Sequence, residues 1–501
     1  MKIKHIAIAT LLLFSMGSCT NLDEEPVGVL APESVFNTTG DIESAIFGAY
    51  GLLAHENIYG RKLTLTLQVR SDMSDIGDRG TPARRIQIND FNLDGNNGMV
   101  TAFWPALYSV IGAANAAIEG TKQVEADEKE LLELEAEARF VKAFAYYHLV
   151  RLFGDIPYVA EFVKDPEALS TISKTKEAEV YQHIVDDLLF AKEHGVDKHE
   201  NEVRSRATAG SAATMLASVY LTMGEYDKAA EEAKWVISNA GKFGYSLEND
   251  FQDLFRAEIA DQLKEPIFTI DFLAQQYAGS SNDDLMGPVT GIRGSEQNGW
   301  GVSVPSMKVY ETWDDNDYRK QVSFFDEVMV NGVLTSYPDF PNEKRPHIAK
   351  FTRFSGNAEN NNRRSDNNYM AFRYAEVLLM AAEAINEVNG PTAEAIGYVN
   401  QVRERARNAA GVMNTFPVDI SGSFTQDEFR ELVLDERRLE LAFEFKRWYD
   451  IKRRNLLEKV FTGPDALEPH ENVSASRDYH FPLPQDELQR NPNLLPQNSG
   501  Y

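Results

Sequence analysis

"LASVYLTMGEYDKAAEEAKWVI", residues 216–237, decides the architecture of this chain. Leu216, Ala217, Tyr220, Gly224, Tyr226 and Ala229 fall at the spacings of a tetratricopeptide unit, two antiparallel helices joined by a tight turn. The residue types explain the spacing. Ala217 and Ala229 let the paired helices approach closely, Gly224 permits the turn between them, and the two tyrosines fill the space between layers. One such pair cannot cover its own apolar face, so the unit predicts neighbours stacked into a superhelix.

Those neighbours are legible. "RYAEVLLMAAEAINEVNG" (373–390) and "TAEAIGYVNQVRERA" (392–406) flank Pro391, which sits at a helix start where its missing donor costs least. From Glu130 to Phe153, Leu134, Ala138, Val141, Ala145, Leu149 and Leu152 recur at steps of three and four. Phe140, Phe144 and Tyr147 widen that stripe, so this helix is expected to be buried along much of its girth. Gly154 and Pro157 end it. Earlier helices are expected from Asp41 to His55 and from Trp104 to Thr121. Between about Gly244 and Asp366 the chain becomes rich in Gly, Asn, Asp and Pro, with short apolar pieces such as "PIFTIDF". A stretch this long without strong periodicity is read as short strands and ordered loops packed on the scaffold. The expected fold is therefore mainly α: a tetratricopeptide-like helical superhelix with an irregular mixed α/β insert. The organisation reads as residues 1–18 signal, 19–40 anchored spacer, 41–243 helical scaffold, 244–366 insert and 367–501 helical scaffold and tail.

The 501 residues carry 50 Lys and Arg against 77 Asp and Glu, a net charge of -27 that repels nucleic acid and anionic membrane surfaces. The first residues read as a secretory signal, with Lys2 and Lys4, then apolar "IAIATLLLFSM", then "GSC". Cys19 is the only cysteine in the chain. Its place at the end of the apolar run resembles the acylation site of bacterial lipoproteins, with Met16 where leucine is usual. Several acyl chains on Cys19 anchor stably, since each buried methylene contributes about 0.8 kcal/mol. "TNLDEEPVG" then suits a solvated spacer.

"LDERRLELAFEFKRWYDIKR" (434–453) raises the question of catalysis, because Glu436, Glu440 and Glu444 share one face of a continuous helix. A glycoside hydrolase needs two carboxylates in divergent environments. Here Asp435 precedes Arg438 by three, Arg437 precedes Glu440 by three and Glu444 precedes Arg447 by three, which predicts paired and ionised carboxylates. Leu434, Leu441, Phe445 and Trp448 lie opposite and can pack. A structural role is therefore expected, with no catalytic residue, metal or cofactor. "DDNDY" (314–318) and "RRSDNNY" (363–369) read as solvated surface, since the first lacks the length and glycine of a calcium loop.

Six segments in one order carry a family resemblance: the lipoprotein cysteine with "NLDEEP", "WPALYSVIGAANAAI" (104–118), "AEARFVKAFAYYHLVRLFGDIP" (136–157), "RYAEVLLMAAEA" (373–384), residues 434–453 and "PLPQDELQRNPNLLPQNSGY" (482–501). The chain resembles the SusD/RagB family of surface glycan- and nutrient-binding lipoproteins of Bacteroidetes over nearly its whole length. In that family the 434–453 segment is a scaffold signature; Phe445 departs from it, standing where glycine is usual. The resemblance implies a non-catalytic protein, lipid-anchored at Cys19 in the outer membrane and facing the outside. It implies capture of an oligosaccharide or other small nutrient for a SusC-like TonB-dependent transporter, without nucleic acid as partner. Sugars stack their C–H faces on aromatic rings, so Trp300 and Trp313 are the first ligand candidates, with Tyr277 behind them. The loop "VRSDMSDIGDRG" (69–80) adds Asp72, Asp75 and Arg79; Trp104 is expected to be structural. The rival readings are a surface glycoside hydrolase using paired carboxylates and a helical protein-docking adaptor.

Overall fold

A computed structural model describes residues 36–273, 282–354 and 365–501. Cys19, the signal segment and Tyr277 lie outside the described residues. The chain opens on α1 (Thr39–Leu53), capped by Thr38 and Asp41, which bond each other's backbone amides. Next come α2 (Lys62–Val69), the short strand β1 (Ser74–Ile76) and α3 (Ala83–Asn89). The scaffold proper follows as α4 (Val100–Gln123), α5 (Glu128–Phe153), α6 (Glu177–His194), α7 (Ala209–Met223) and α8 (Tyr226–Ser238). After the insert it resumes with α9 (Tyr374–Asn389), α10 (Ala393–Ala406), α11 (Gln426–Glu440) and α12 (Arg447–Arg453).

From α4 onward, neighbours in sequence pack as neighbours in space. α4 lies on α5, α5 on α6, α6 on α7, α7 on α8, α8 on α9, and α9 on both α10 and α11. Each helix from α4 to α9 thus buries its stripe against the next, as a superhelix requires. Central α5 is buried on nearly every side from Leu134 on. Its Phe140 and Phe144 meet Phe268 of the insert edge-on at 4.9 and 5.4 Å. At the α7–α8 turn Gly224 takes a left-handed φ of +76°, and the Glu225 amide returns to the Tyr220 carbonyl at 2.9 Å. A Cβ at Gly224 meets no atom within 4 Å. Gly224→Ala therefore reports backbone strain alone, and a loss of about 1–2 kcal/mol in chemical denaturation is expected.

The insert contains short strands that pair out of sequence order. β2 (Pro266–Ile270) pairs antiparallel with β4 (Tyr369–Arg373), and β3 (Ser303–Pro305) with β1. The 373–390 periodicity therefore begins one residue later, at Tyr374, because residues 369–373 continue a ladder.

The 434–453 segment is not one continuous helix. α11 ends at Glu440, and Phe443 and Phe445 turn the chain with φ of +65° and +63° before α12 begins. Phe445 thus stands in a conformation that favours glycine, and its ring stacks on Phe351 at 5.7 Å and meets Tyr369 edge-on. Of the three expected local pairs only Asp435–Arg438 forms, at the surface. Burial redirects the others. Glu436, Glu440 and Glu444 point into the body, where their cations come from distant sequence: Arg319 and Arg403 on Glu436, Arg319, Arg373 and Arg405 on Glu440, and Arg373 and Lys350 on Glu444. Arg437 turns to Asp450 and Glu376.

Candidate ligand cleft

Pairing of β1 with β3 brings the 69–80 loop against the chain around Trp300. Ser74, Asp75 and Ile76 face Pro305, Val304 and Ser303, and the ladder runs on as Gly77 and Asp78 donate to the carbonyls of Val302 and Gly301 at 2.9 and 2.8 Å. Glycine is required for this approach, since a Cβ on Gly77 falls 2.5 Å from the Gly301 carbonyl oxygen; within the Trp300 segment itself, a Cβ on Gly299 lies 2.0 Å from the Gly291 backbone. Trp300, held through its amide to the Pro288 carbonyl, keeps its side chain partly exposed, with the Arg61 guanidinium 5.9 Å from its ring centre.

Trp300 lines an open cleft of about 520 Å³ with Asp78, Thr81, Arg85, Arg293 and Asn342. That size suits a small ligand. Asp78 pairs with Arg293 across 215 residues of sequence, and Asn342 donates to the Arg293 carbonyl at 2.9 Å. An aromatic ring beside fixed donors and acceptors can hold the C–H face of a sugar while bonding its hydroxyls.

The sequence candidates divide. Trp300 is in the cleft. Trp313 is not: it is only 4% exposed, packed edge-on against Phe324 at 5.4 Å, and cannot offer a face to a ligand. Asp72 is buried and grips Arg447 of α12 with both oxygens at 2.8 and 2.7 Å, which makes it a brace between loop and scaffold. Asp75 is turned inward, accepting from Asn89 at 3.0 Å and Arg345 at 3.2 Å. Arg79 is exposed but occupied by Asp90 at 2.7 and 2.9 Å. Within the 69–80 loop Asp78 and Gly80 line the cleft. Trp104 is buried edge-on against Phe153, as expected. "DDNDY" is not simply surface, because Asp317 is buried and clamps Arg319 at 2.8 Å. "RRSDNNY" lies partly outside the described residues.

Sequence reasoning missed Asp78, Arg85, Arg293 and Asn342. One signal was available: Arg84 and Arg85 open α3 with no acid within the next four residues, an unusual gap in so acidic a chain.

The 434–453 carboxylates form no reactive pair. Burial raises Glu440, but Arg405, Arg373 and Arg319 outweigh it and hold the carboxyl well below the usual range. Glu444 is likewise held low by Arg373 and Lys350 against its burial. A general acid must keep its proton near neutral pH, and these two do not.

Helices stacked as a frame, with an aromatic and polar cleft where two distant segments meet, define a tetratricopeptide-like scaffold with a candidate ligand cleft. Two family models match the chain: "Starch-binding associating with outer membrane" over residues 22–221 and "SusD family" over residues 305–501. The SusD-like protein P2 of Formosa agariphila is 49% identical over 511 residues, covering the whole of both chains. Among solved structures, a SusD homolog from Bacteroides thetaiotaomicron matches with a TM-score of 0.81 at 23% identity, covering 94% of this chain and 98% of that one. A laminarin-binding SusD-like protein matches with a TM-score of 0.74 at 22% identity, covering 93% and 100%. The chain belongs to the SusD family.

Proposed function

We propose that this protein captures oligosaccharides in the Trp300 cleft at the cell surface and delivers them to a SusC-like TonB-dependent transporter, without chemistry of its own. The observation that carries the reading is the junction of β1 and β3, which sets a partly exposed tryptophan beside Asp78, Arg293 and Asn342. Family membership supports a glycan ligand: one matching family is described as starch-binding and associating with the outer membrane, and one structural neighbour is a laminarin-binding SusD-like protein. In this reading Cys19 carries the lipid anchor. Among the described residues no helix is long and apolar enough to cross a membrane. The cleft straddles the 41–243 scaffold and the 244–366 insert, so specificity is shared between them.

The test is calorimetry of the parent chain and Trp300→Ala against a panel of neutral and acidic oligosaccharides. Binding energy concentrates in a few aromatic anchors, so loss of Trp300 is expected to weaken binding about thirtyfold, roughly 2 kcal/mol. Trp313→Ala is expected to lower stability instead, because its ring fills the core. A glycan that binds the parent and Trp300→Ala equally well contradicts the placement of the site.

A further inference from the structure

Arg85 lines the same cleft and is only 7% exposed. Among the described residues its guanidinium makes one hydrogen bond, from Nη1 to Thr81 Oγ1 at 2.9 Å; its Nε is without a partner, and no carboxylate pairs with it. Other deeply buried arginines are compensated. Arg70, Arg319, Arg373, Arg405 and Arg437 each hold an acid, and Arg151 lies between the rings of Tyr147 and Tyr449. Burial, then the nearby charges of Arg61 and Arg84, push Arg85 down to about 10, and Glu56 offsets only part of this. Glu56 itself is taken by Arg61. Across the cleft Asp78 is taken by Arg293. The wall around Arg85 is therefore cationic in a chain whose net charge is -27. A buried unpaired charge is costly and is retained where a ligand completes it.

Resting on the reading of the cleft as a glycan site, we infer that its ligand is an anionic oligosaccharide, whose carboxylate or sulfate group lies against Arg85 while a neighbouring sugar stacks on Trp300. Arginine suits this role, since its planar fork meets either oxyanion with two parallel hydrogen bonds. The two sources of charge share that geometry.

The experiment compares four probes by calorimetry with the full chain: an oligogalacturonate, its carboxyl-reduced counterpart, a sulfated galactan oligomer and its desulfated counterpart. At least one charged probe is expected to bind about tenfold or more tightly than its neutral partner, and more weakly as salt rises. The arm that binds identifies carboxylate or sulfate. Arg85→Met is expected to remove that advantage and Arg85→Lys to restore part of it, while Arg85→Met melts no lower than the parent because an uncompensated charge has gone. Should Arg85→Met fail to fold, the charged–neutral comparison and its salt dependence in the parent still decide. Charged and neutral partners that bind alike, with binding lost in Trp300→Ala, overturn the anionic ligand and leave the glycan cleft standing. Binding indifferent to Trp300→Ala overturns both, and failure of both charged probes to bind overturns the anionic ligand.

Discussion

Glu440→Gln is expected to lower the stability of the folded chain by about 3–5 kcal/mol while leaving ligand affinity unchanged in the molecules that remain folded. Glu440 is fully buried and accepts from three guanidiniums, at 3.1 Å from Arg319, 2.6 Å from Arg373 and in a short contact from Arg405. Each cation is shared with a second acid, Asp317 or Glu436 for Arg319 and Glu265 for Arg373 and Arg405. Neutralising the central carboxylate therefore leaves positive charge in a place water cannot reach. The lattice joins α11 to the insert through Arg319 and to the β2–β4 ladder through Arg373, so its loss loosens two attachments together. Asp435→Asn serves as control. That acid's side chain is 57% exposed beside Arg438, and its replacement is expected to change stability by no more than about 0.5 kcal/mol. Denaturant titration of the three proteins checks both values; equal stabilities contradict the lattice account.

Stability is also expected to fall steeply below about pH 4. Burial raises Glu383, but Arg453 and Arg454 outweigh it and hold the carboxyl at about 2. Glu440 and Asp450 are held low in the same way. Unfolded carboxyls titrate near about 4, so between that value and the folded one the unfolded chain binds more protons. These contributions are complete above about pH 5 and disappear as pH falls toward 2, Glu383 alone accounting for roughly 3 kcal/mol. Asp284 and Glu468 act in the opposite sense. Burial pushes each up to about 7, so the folded chain binds more protons between about pH 4 and 7 and gains stability as pH falls through that window. Thermal melts from pH 3 to 9 check the shape, and a curve flat down to pH 3 contradicts it.

What the sequence discloses is what local physics determines. Gly224 with its flanking alanines and tyrosines specifies a turn between two helices from residues within one unit, and the stripe of 130–153 needs no distant partner to be read. The break after Glu440 was illegible because two phenylalanines, not glycines, take the positive φ, and their cost is offset by rings far along the chain such as Phe351. Ion pairing was foreseen in kind but not in partner: nothing in residues 434–453 points to Arg319, 117 positions before Glu436. Trp300 and Trp313 lie in similar loop-rich sequence and are separated only by packing, one against Phe324 and one at the mouth of a cleft. The cleft's polar residues were hidden for the same reason, since Asp78 and Arg293 meet only once β1 finds β3.

The central claim is that Trp300 and the residues around it hold the glycan, and a crystal structure of the full chain with a bound oligosaccharide tests it most directly. A sugar ring stacked on the Trp300 indole is expected, with polar contacts to Asp78, Arg293 or Asn342 and an acidic substituent within hydrogen-bond distance of Arg85. An oligosaccharide bound elsewhere on the molecule, with the Trp300 cleft empty, contradicts it.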